Sequence, residues 1–433
     1  MVDGRQKPRE QAGLALLICF HTVTCCISLV YVAHFQDAFH IFYDPARAVD
    51  AIAVVALFAL ASCVFTSAGF SFGYLVGFYF YTMVVGYLWI NNFSDLDYDH
   101  RLAGLSAVAS AIAFLLPAVL ITSPVRPTWV MATSTFERLL TAILLLSAAA
   151  IPVGAAYNFR LISFQNIYDF RDQLEFPRLL NYWIGITSSA LLPFAFACFV
   201  VLGNRWRAGL SLLVMLLFYP VTLSKLSFFT PLWLLTITGL SRIFEIRTAA
   251  ILTLFLPVLG GVILLVLFGE VARPYFDLVN FRMVAVPSSA MDIYNEFFRA
   301  HDLTYFCQIT FLKTIIACPY KEQLSVVLNK TYHLGNFNAS LFATEGIAST
   351  GVLFAPVVAF VCGLVIAVAN RLSAGLPPRF ILISGAVLPQ AFLNVPMTTV
   401  LLTHGAGLLF LLWYIMPRSA WGRSISRRPS CSA

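Results

Sequence analysis

The residues best equipped for chemistry fall in two polar stretches of an otherwise apolar chain. The longer, 271–345, contains Arg273, Arg282, Arg299, His301 and His333 and ends on Glu345. The shorter, 157–180, interleaves Arg160, Arg171 and Arg178 with Asp169, Asp172 and Glu175 among many aromatics. An arginine fork stays charged and matches phosphate oxygens two at a time, so two or three of them suit a pyrophosphate. A histidine or carboxylate nearby could take the proton from a sugar hydroxyl as it attacks an anomeric carbon. The leaving group would then be a polyprenyl diphosphate, its developing charge stabilised by the arginines. This scheme requires no metal and no cofactor. The chain accordingly shows no Asp-rich or Cys/His metal spacing, and no P-loop, GxGxxG or GxSxG.

The elements that must position these residues are membrane spans. The chain has 433 residues, of which 60% are hydrophobic and 11% charged, with 39 Phe and 17 Tyr; its mean hydropathy is +0.85. Apolar runs of about 20 residues recur along it, each long enough to cross the roughly 30 Å hydrocarbon layer as a helix. The runs are continuous rather than alternating, which excludes a β-barrel. The expected spans are 12–34, 49–66, 70–90, 103–122, 136–156, 181–202, 208–223, 226–241, 248–270, 346–370, 378–396 and 399–416. The 208–241 pair is interrupted by "YPVTLSKLSFFTP", so two short helices or one broken one are both compatible with it. The first run follows a basic stub as a secretory signal does. It is long for a signal core and no A-x-A-like site follows, so it reads as a retained span.

Orientation follows from Lys and Arg in the short loops. With the N-terminus in the cytoplasm, the inner side receives Arg5, Lys7, Arg9, Arg126, Arg138, Arg205, Arg207, Arg242, Arg247, Arg371, Arg379, Arg418, Arg423, Arg427 and Arg428. The short outer loops receive only Arg47, Arg101 and Lys225. Both termini are therefore expected inside, with 417–433 a solvated basic tail. The net charge of +7 mostly reflects this topology and implies no nucleic-acid partner.

The organisation expected is thus spans over 1–270, an extracytoplasmic cap over 271–345, and three further spans over 346–416. Within 157–180 a short interfacial helix could form one wall of a site for an anionic headgroup. Within the cap, the apolar "TYFCQITFLKTIIACPY" (Thr304–Tyr320) suggests an interfacial or re-entrant helix. Cys307 and Cys318 share that loop, where an outer compartment would permit a disulfide without requiring one. His404, in "LLTHGAG", is a titratable group in an apolar span, compatible with helix packing or with a substrate contact.

The layout resembles that of the bacterial O-antigen and exopolysaccharide polymerases of the Wzy type, and of their relatives the O-antigen ligases. "NFRMVAVPSSAMDIYNEFF" is similar to the family's Arg-x-x-x-(small)-Pro segment followed by aromatics. "LGNFNASLFATEGIASTGVLFAPVVAFVCGLV" is similar to its Asn-rich turn, acidic residue and Gly-x4-Gly opening of the next span. The resemblance implies an all-α polytopic membrane protein of about 12 transmembrane helices, GT-C-like, with a large extracytoplasmic loop. It implies a metal-independent inverting glycosyltransferase in a bacterial inner membrane. Its substrates would be polyprenyl-diphosphate-linked oligosaccharides, and its partners membrane lipid and other polysaccharide assembly and export proteins. Carried over by residue, it favours Arg282 as a phosphate ligand, Glu345 as acid or base, and Asn336 and Asn338 as substrate contacts. Arg273, Arg299, Arg171, His301 and His333 rest on position alone. Two other classes compete: a transporter or flippase of lipid-linked sugars, and a non-catalytic subunit of an export assembly. Transporters tend to place acids near the bilayer midplane. The sequence puts Glu345 at a span's outer end.

Overall fold

A computed structural model describes residues 8–36, 39–162, 176–309, 311–334 and 342–418. The described residues form helices and turns, with no strand among them. Nine helical segments among them are long and apolar enough to cross a membrane. In chain order we denote α1 (Pro8–Phe35), α2 (Pro45–Ser67), α3 (Phe72–Asn91), α4 (His100–Leu120), α5 (Thr133–Ala155), α6 (Arg178–Val201), α7 (Lys225–Ile243), α8 (Ile246–Phe268), α9 (273–300) and α10 (Ala343–Ser373). The α8 and α9 helices are two arms of one 55-residue helical segment. The protein is a multi-pass, all-helical membrane protein. Three of the expected spans are shorter or broken: 208–223 becomes Arg205–Leu217 plus Tyr219–Thr222, while 378–396 and 399–416 become Pro378–Ser384, Leu388–Asn394, Met397–Leu402 and Ala406–Ile415.

The chain forms two compact units. The first comprises Met1–Thr122, Arg247–Val368 and Phe392–Thr398. Its centre is α3, "FGYLVGFYFYTMVVGYLWIN", which is apolar and aromatic around its whole circumference. Small residues (Gly73, Gly77, Gly86) and hydroxyls (Tyr79, Tyr81, Thr82, Tyr87) favour packing against other helices over contact with lipid, and every residue from Phe72 to Ile90 is buried. Around it, His21 Nε2 of α1 lies 2.8 Å from Thr82 Oγ1, and Tyr79 meets Thr253 of α8. The pairs His21–Phe255 and Ser28–Asn280–Val258 show that α1 and α8 run in the same direction.

The opening of the long polar stretch does not stand clear of this bundle. A straight 55-residue helix would be about 80 Å long, far more than the bilayer core. The chain instead reverses at Gly269, whose φ of +55° costs a glycine little. The Asn280 amide then donates to the Val258 carbonyl (2.8 Å) and to Ser28 Oγ (2.9 Å). Gly261 makes this approach feasible, because a Cβ there would fall 1.7 Å from Asn280 Oδ1. Further along α9, Ser288 donates to the Met83 carbonyl at 3.0 Å. Met83 lies eight residues before the end of α3 and Ser28 seven before the end of α1, depths of about 10–12 Å. Both ends of α9 return to the level of those helix ends. Asp277 accepts from Gln36 just past α1, and Arg299 pairs with Asp97 in the loop after α3. The re-entrant helix is therefore α9, whereas Thr304–Tyr320 forms turns closed by a Cys307–Cys318 disulfide. Residues Asp277–Ala285 of α9 form a π-helix, a widening often found at functional sites.

The second unit comprises Ser123–Ile246, Ala369–Ala391 and Thr399–Ala433. Here α6 is interrupted by a π-turn at Thr187–Leu191. The Gly185 α-carbon lets the Thr403 carbonyl approach closely, since a Cβ would lie 2.8 Å from it.

Candidate functional site: a groove with a basic mouth

Two helices of the first unit begin side by side with cations in their first turns. Asp44 accepts from the Ala46 amide (2.9 Å) and caps the turn that leads into α2, presenting Arg47. Asp99 accepts from the Leu102 amide (2.9 Å) and caps α4, presenting His100 and Arg101. Cations at helix N-termini oppose the helix dipole, and an anion between them removes the conflict. Arg101 has no ion pair among the described residues, and Arg47 has only a loose one, 3.9 Å to Asp44 between exposed side chains.

These residues stand at the mouth of a groove of about 940 Å³ between α2 and α4. Its mouth carries Arg47, Asn91, Asn92, Ser94, His100 and Arg101. Its length is apolar, with Val54, Leu57, Val64, Leu105, Ile112 and Leu116 among its walls. From Arg101 to Leu116 is about 22 Å of helix, more than one leaflet of hydrocarbon. An amphiphile with an anionic head and a long apolar tail matches this shape and charge.

Behind the mouth lies a buried polar network. The Asp292 carboxylate of α9, 1% exposed, accepts from Ser94 Oγ at 2.7 Å and from the Tyr98 hydroxyl. Tyr98 also reaches Asn91 Oδ1 at 2.9 Å, and Asn295 Nδ2 donates to Tyr87 at 3.2 Å. Asn91 Nδ2 donates to the His100 carbonyl. The His100 ring has Nδ1 3.0 Å from Asn91 Oδ1 and Nε2 3.0 Å from the Leu96 carbonyl. Both ring nitrogens are thus engaged by oxygens, which fixes the ring at the mouth. Burial, reinforced by the neighbouring Tyr87 and Asp292, pushes the Tyr98 phenol far above its ordinary range and keeps it a donor.

The residues singled out from the sequence are dispersed. Arg282 is exposed on the π-helical part of α9 and has no ion pair or hydrogen bond among the described residues. Arg273 is engaged by Glu270 (3.2 Å) and Asp277 (3.7 Å), with its guanidinium over the Phe35 ring. Arg299 pairs with Asp97 at 2.5 Å. His301, exposed at the end of α9, stacks on Phe297, with Nδ1 2.8 Å from the Phe297 carbonyl. His333 is exposed and closes the Leu324–Tyr332 helix in a left-handed conformation. Arg171, Asn336 and Asn338 lie outside the described residues. No hydrogen bond or ion pair joins Arg282, Glu345, His301 and His333 to one another among the described residues.

Glu345 lies deeper than a span boundary. The chain folds sharply at Gly351, whose φ is +78°. A Cβ on Gly346 would consequently lie 3.1 Å from that of Ala355, where a straight helix would separate the two residues by about 13 Å. The carboxylate is 5% exposed, and neither oxygen has a well-formed hydrogen bond. The Met397 and Thr398 amides, after the break at Pro396, are directed toward it.

Asp292, Tyr98 and His100 were not legible as site residues in the sequence, where Arg47 and Arg101 bear only on topology. Their signal was present: two of the three cations in the short outer loops are the ones at the groove mouth. No family model, no curated protein and no solved structure matches the chain.

Proposed function

We propose that the protein is a glycosyltransferase acting on polyprenyl-diphosphate-linked oligosaccharides at the outer face of a bacterial inner membrane, polymerising repeat units. The observation that carries this reading is the α2–α4 groove, an apolar trench ending in Arg47, Arg101 and His100. In it the polyprenyl tail lies between the helices, and the cations hold the diphosphate. Asp292 orients the mouth through Ser94 and Tyr98. The acceptor hydroxyl attacks the anomeric carbon, the carbon–oxygen bond to the diphosphate breaks, and configuration inverts. The hydroxyl proton passes to His301, where Nδ1–H donating to the Phe297 carbonyl leaves the lone pair on Nε2. Arg282, unpaired among the described residues, is free for a second phosphate-bearing substrate. The reading carries with it the GT-C-like plan of about twelve spans and both termini inside.

A second reading, a carrier for lipid-linked sugars, is favoured by Glu345, an enclosed carboxylate beside two helix breaks. Sizing the surface polysaccharide of a host strain lacking the protein separates the two. The polymerase reading expects single repeats in place of long chains. Complementation with Arg101→Gln or His301→Gln should leave chains short, since a general base typically contributes 10²–10⁴-fold. Normal chain length without the protein eliminates the polymerase, and loss of all surface repeats, with lipid-linked repeats retained inside, indicates the carrier.

A further inference from the structure

The second unit contains a cavity of a different kind. It measures about 890 Å³, and its lining includes Asn181, Ser188, Ser189, Thr222, Ser224 and Ser227. Hydroxyl and amide groups in this density are unexpected within helices of such apolar composition. Irregular backbone also gathers there: the π-turn at Thr187–Leu191, and left-handed residues at Leu223 (φ 48°) and Gly405 (φ 75°). Within a membrane protein, non-helical backbone is tolerated where it is buried in protein or lines a wet cavity. The Ser189 hydroxyl, on a residue 2% exposed, has no hydrogen-bond partner among the described residues. The hydroxyl is not sealed in protein but opens on the cavity, where a polar occupant can meet it.

From this chemistry we infer that the cavity is a binding site for an acidic saccharide. Many hydroxyls arranged around one space match the alternating donors and acceptors of a sugar, and Phe176 offers an apolar face to its C–H groups. A lipid tail finds no wall here comparable to the α2–α4 groove. Arg178 supplies positive charge, has no partner among the described residues, and no carboxylate is among the described lining residues. His404 adds a ring whose Nδ1 is held 3.1 Å from Thr403 Oγ1. The cavity thus gives His404 a ligand-facing role beyond helix packing. The inference stands on the cavity alone and holds for a polymerase and for a carrier alike.

The test is equilibrium binding of two defined probes to the full chain in lipid nanodiscs, tetragalacturonate and neutral maltotetraose. The acidic probe should bind about tenfold tighter than the neutral one, the scale of one charge-assisted contact. Arg178→Gln should remove that preference. Asn181→Ala, at an exposed position where the fold is not at risk, and Ser189→Ala should each weaken tetragalacturonate about tenfold, with melting temperature measured in parallel. No saturable binding of either probe overturns the proposal, as does binding that Asn181→Ala, Ser189→Ala and Arg178→Gln all leave unchanged. Displacement of the acidic probe by inorganic phosphate, together with no preference for the tetrasaccharide over galacturonate alone, overturns it in favour of a simple anion site.

Discussion

At the residue scale, Asp292 and Tyr98 bear on stability as well as on the groove mouth. Removing the phenol hydroxyl in Tyr98→Phe leaves Asp292 with Ser94 as its remaining donor. Loss of a hydrogen bond to a charged group typically costs about 1.5–3 kcal/mol. The pH dependence follows from the direction of the shift. The unfolded phenol ionises above about pH 10. In the folded protein, burial first and then Tyr87 and Asp292 keep it protonated to higher pH. Above about pH 10 the unfolded state therefore binds fewer protons than the native one, and stability falls as pH rises; below it the contribution is flat and fully present. Each such tyrosine adds up to about 1.4 kcal/mol per pH unit to that slope. Denaturant midpoints measured from pH 8 to 11 should show a shallower alkaline decline for Tyr98→Phe than for wild type. An unchanged slope would mean that Tyr98 is not enclosed as described.

At the element scale, the decisive feature is the re-entrant α9, and its seat on α3 is close enough to test. A Cβ on Gly86 would fall 2.3 Å from Ser288 Oγ and 3.1 Å from Ser288 Cβ. Gly86→Ala should therefore push α9 away from α3 and cost about 1–3 kcal/mol, the usual range for overpacking. Ser288→Ala removes the nearer clashing atom along with its hydrogen bonds to Met83 and Val284. If the clash dominates, the double variant should be more stable than the sum of the single effects predicts, by more than about 0.5 kcal/mol in thermal melts. Strict additivity would dissociate α9 from α3. The α3 span was legible as a continuous apolar run over 70–90, but its complete burial was not, because such a run can face lipid as well as protein. The α9 helix was not, although Val286, Ala290, Ile293, Tyr294 and Phe297 recur at helical spacing. Asn280, Ser288, Asp292 and Asn295 looked like solvent contacts. They instead hydrogen-bond to partners as far away in sequence as Ser28, Met83, Ser94 and Tyr87, pairings that no local pattern reveals.

At the scale of the whole molecule, the question is which side of the membrane receives the groove mouth and the end of α9. Within the first unit, α1, α3 and α8 end at one level, and α9 enters and leaves at that same level. The chain leaving it carries the Cys307–Cys318 bridge, and disulfides persist in oxidising compartments. The scarcity of cations in the loops on that side points the same way. We therefore predict that Lys321 is outside and Glu245 inside, both exposed positions suited to labelling. With Cys19, Cys26 and Cys63 and the tail residue Cys431 replaced, a membrane-impermeant maleimide applied to intact cells should label Lys321→Cys and not Glu245→Cys. Lysis should make both reactive. The bridge supplies an internal control. It closes a loop whose constraint is worth roughly 3 kcal/mol, yet it lies beyond α9, in the turns of 304–320. Replacing Cys307 and Cys318 together with Ser should loosen 304–320 to protease while leaving insertion and the Lys321 labelling pattern intact. Labelling of Glu245→Cys alone in intact cells would turn the groove mouth toward the cytoplasm and remove the polymerase reading with it, because the repeat units to be joined would then stand on the other side.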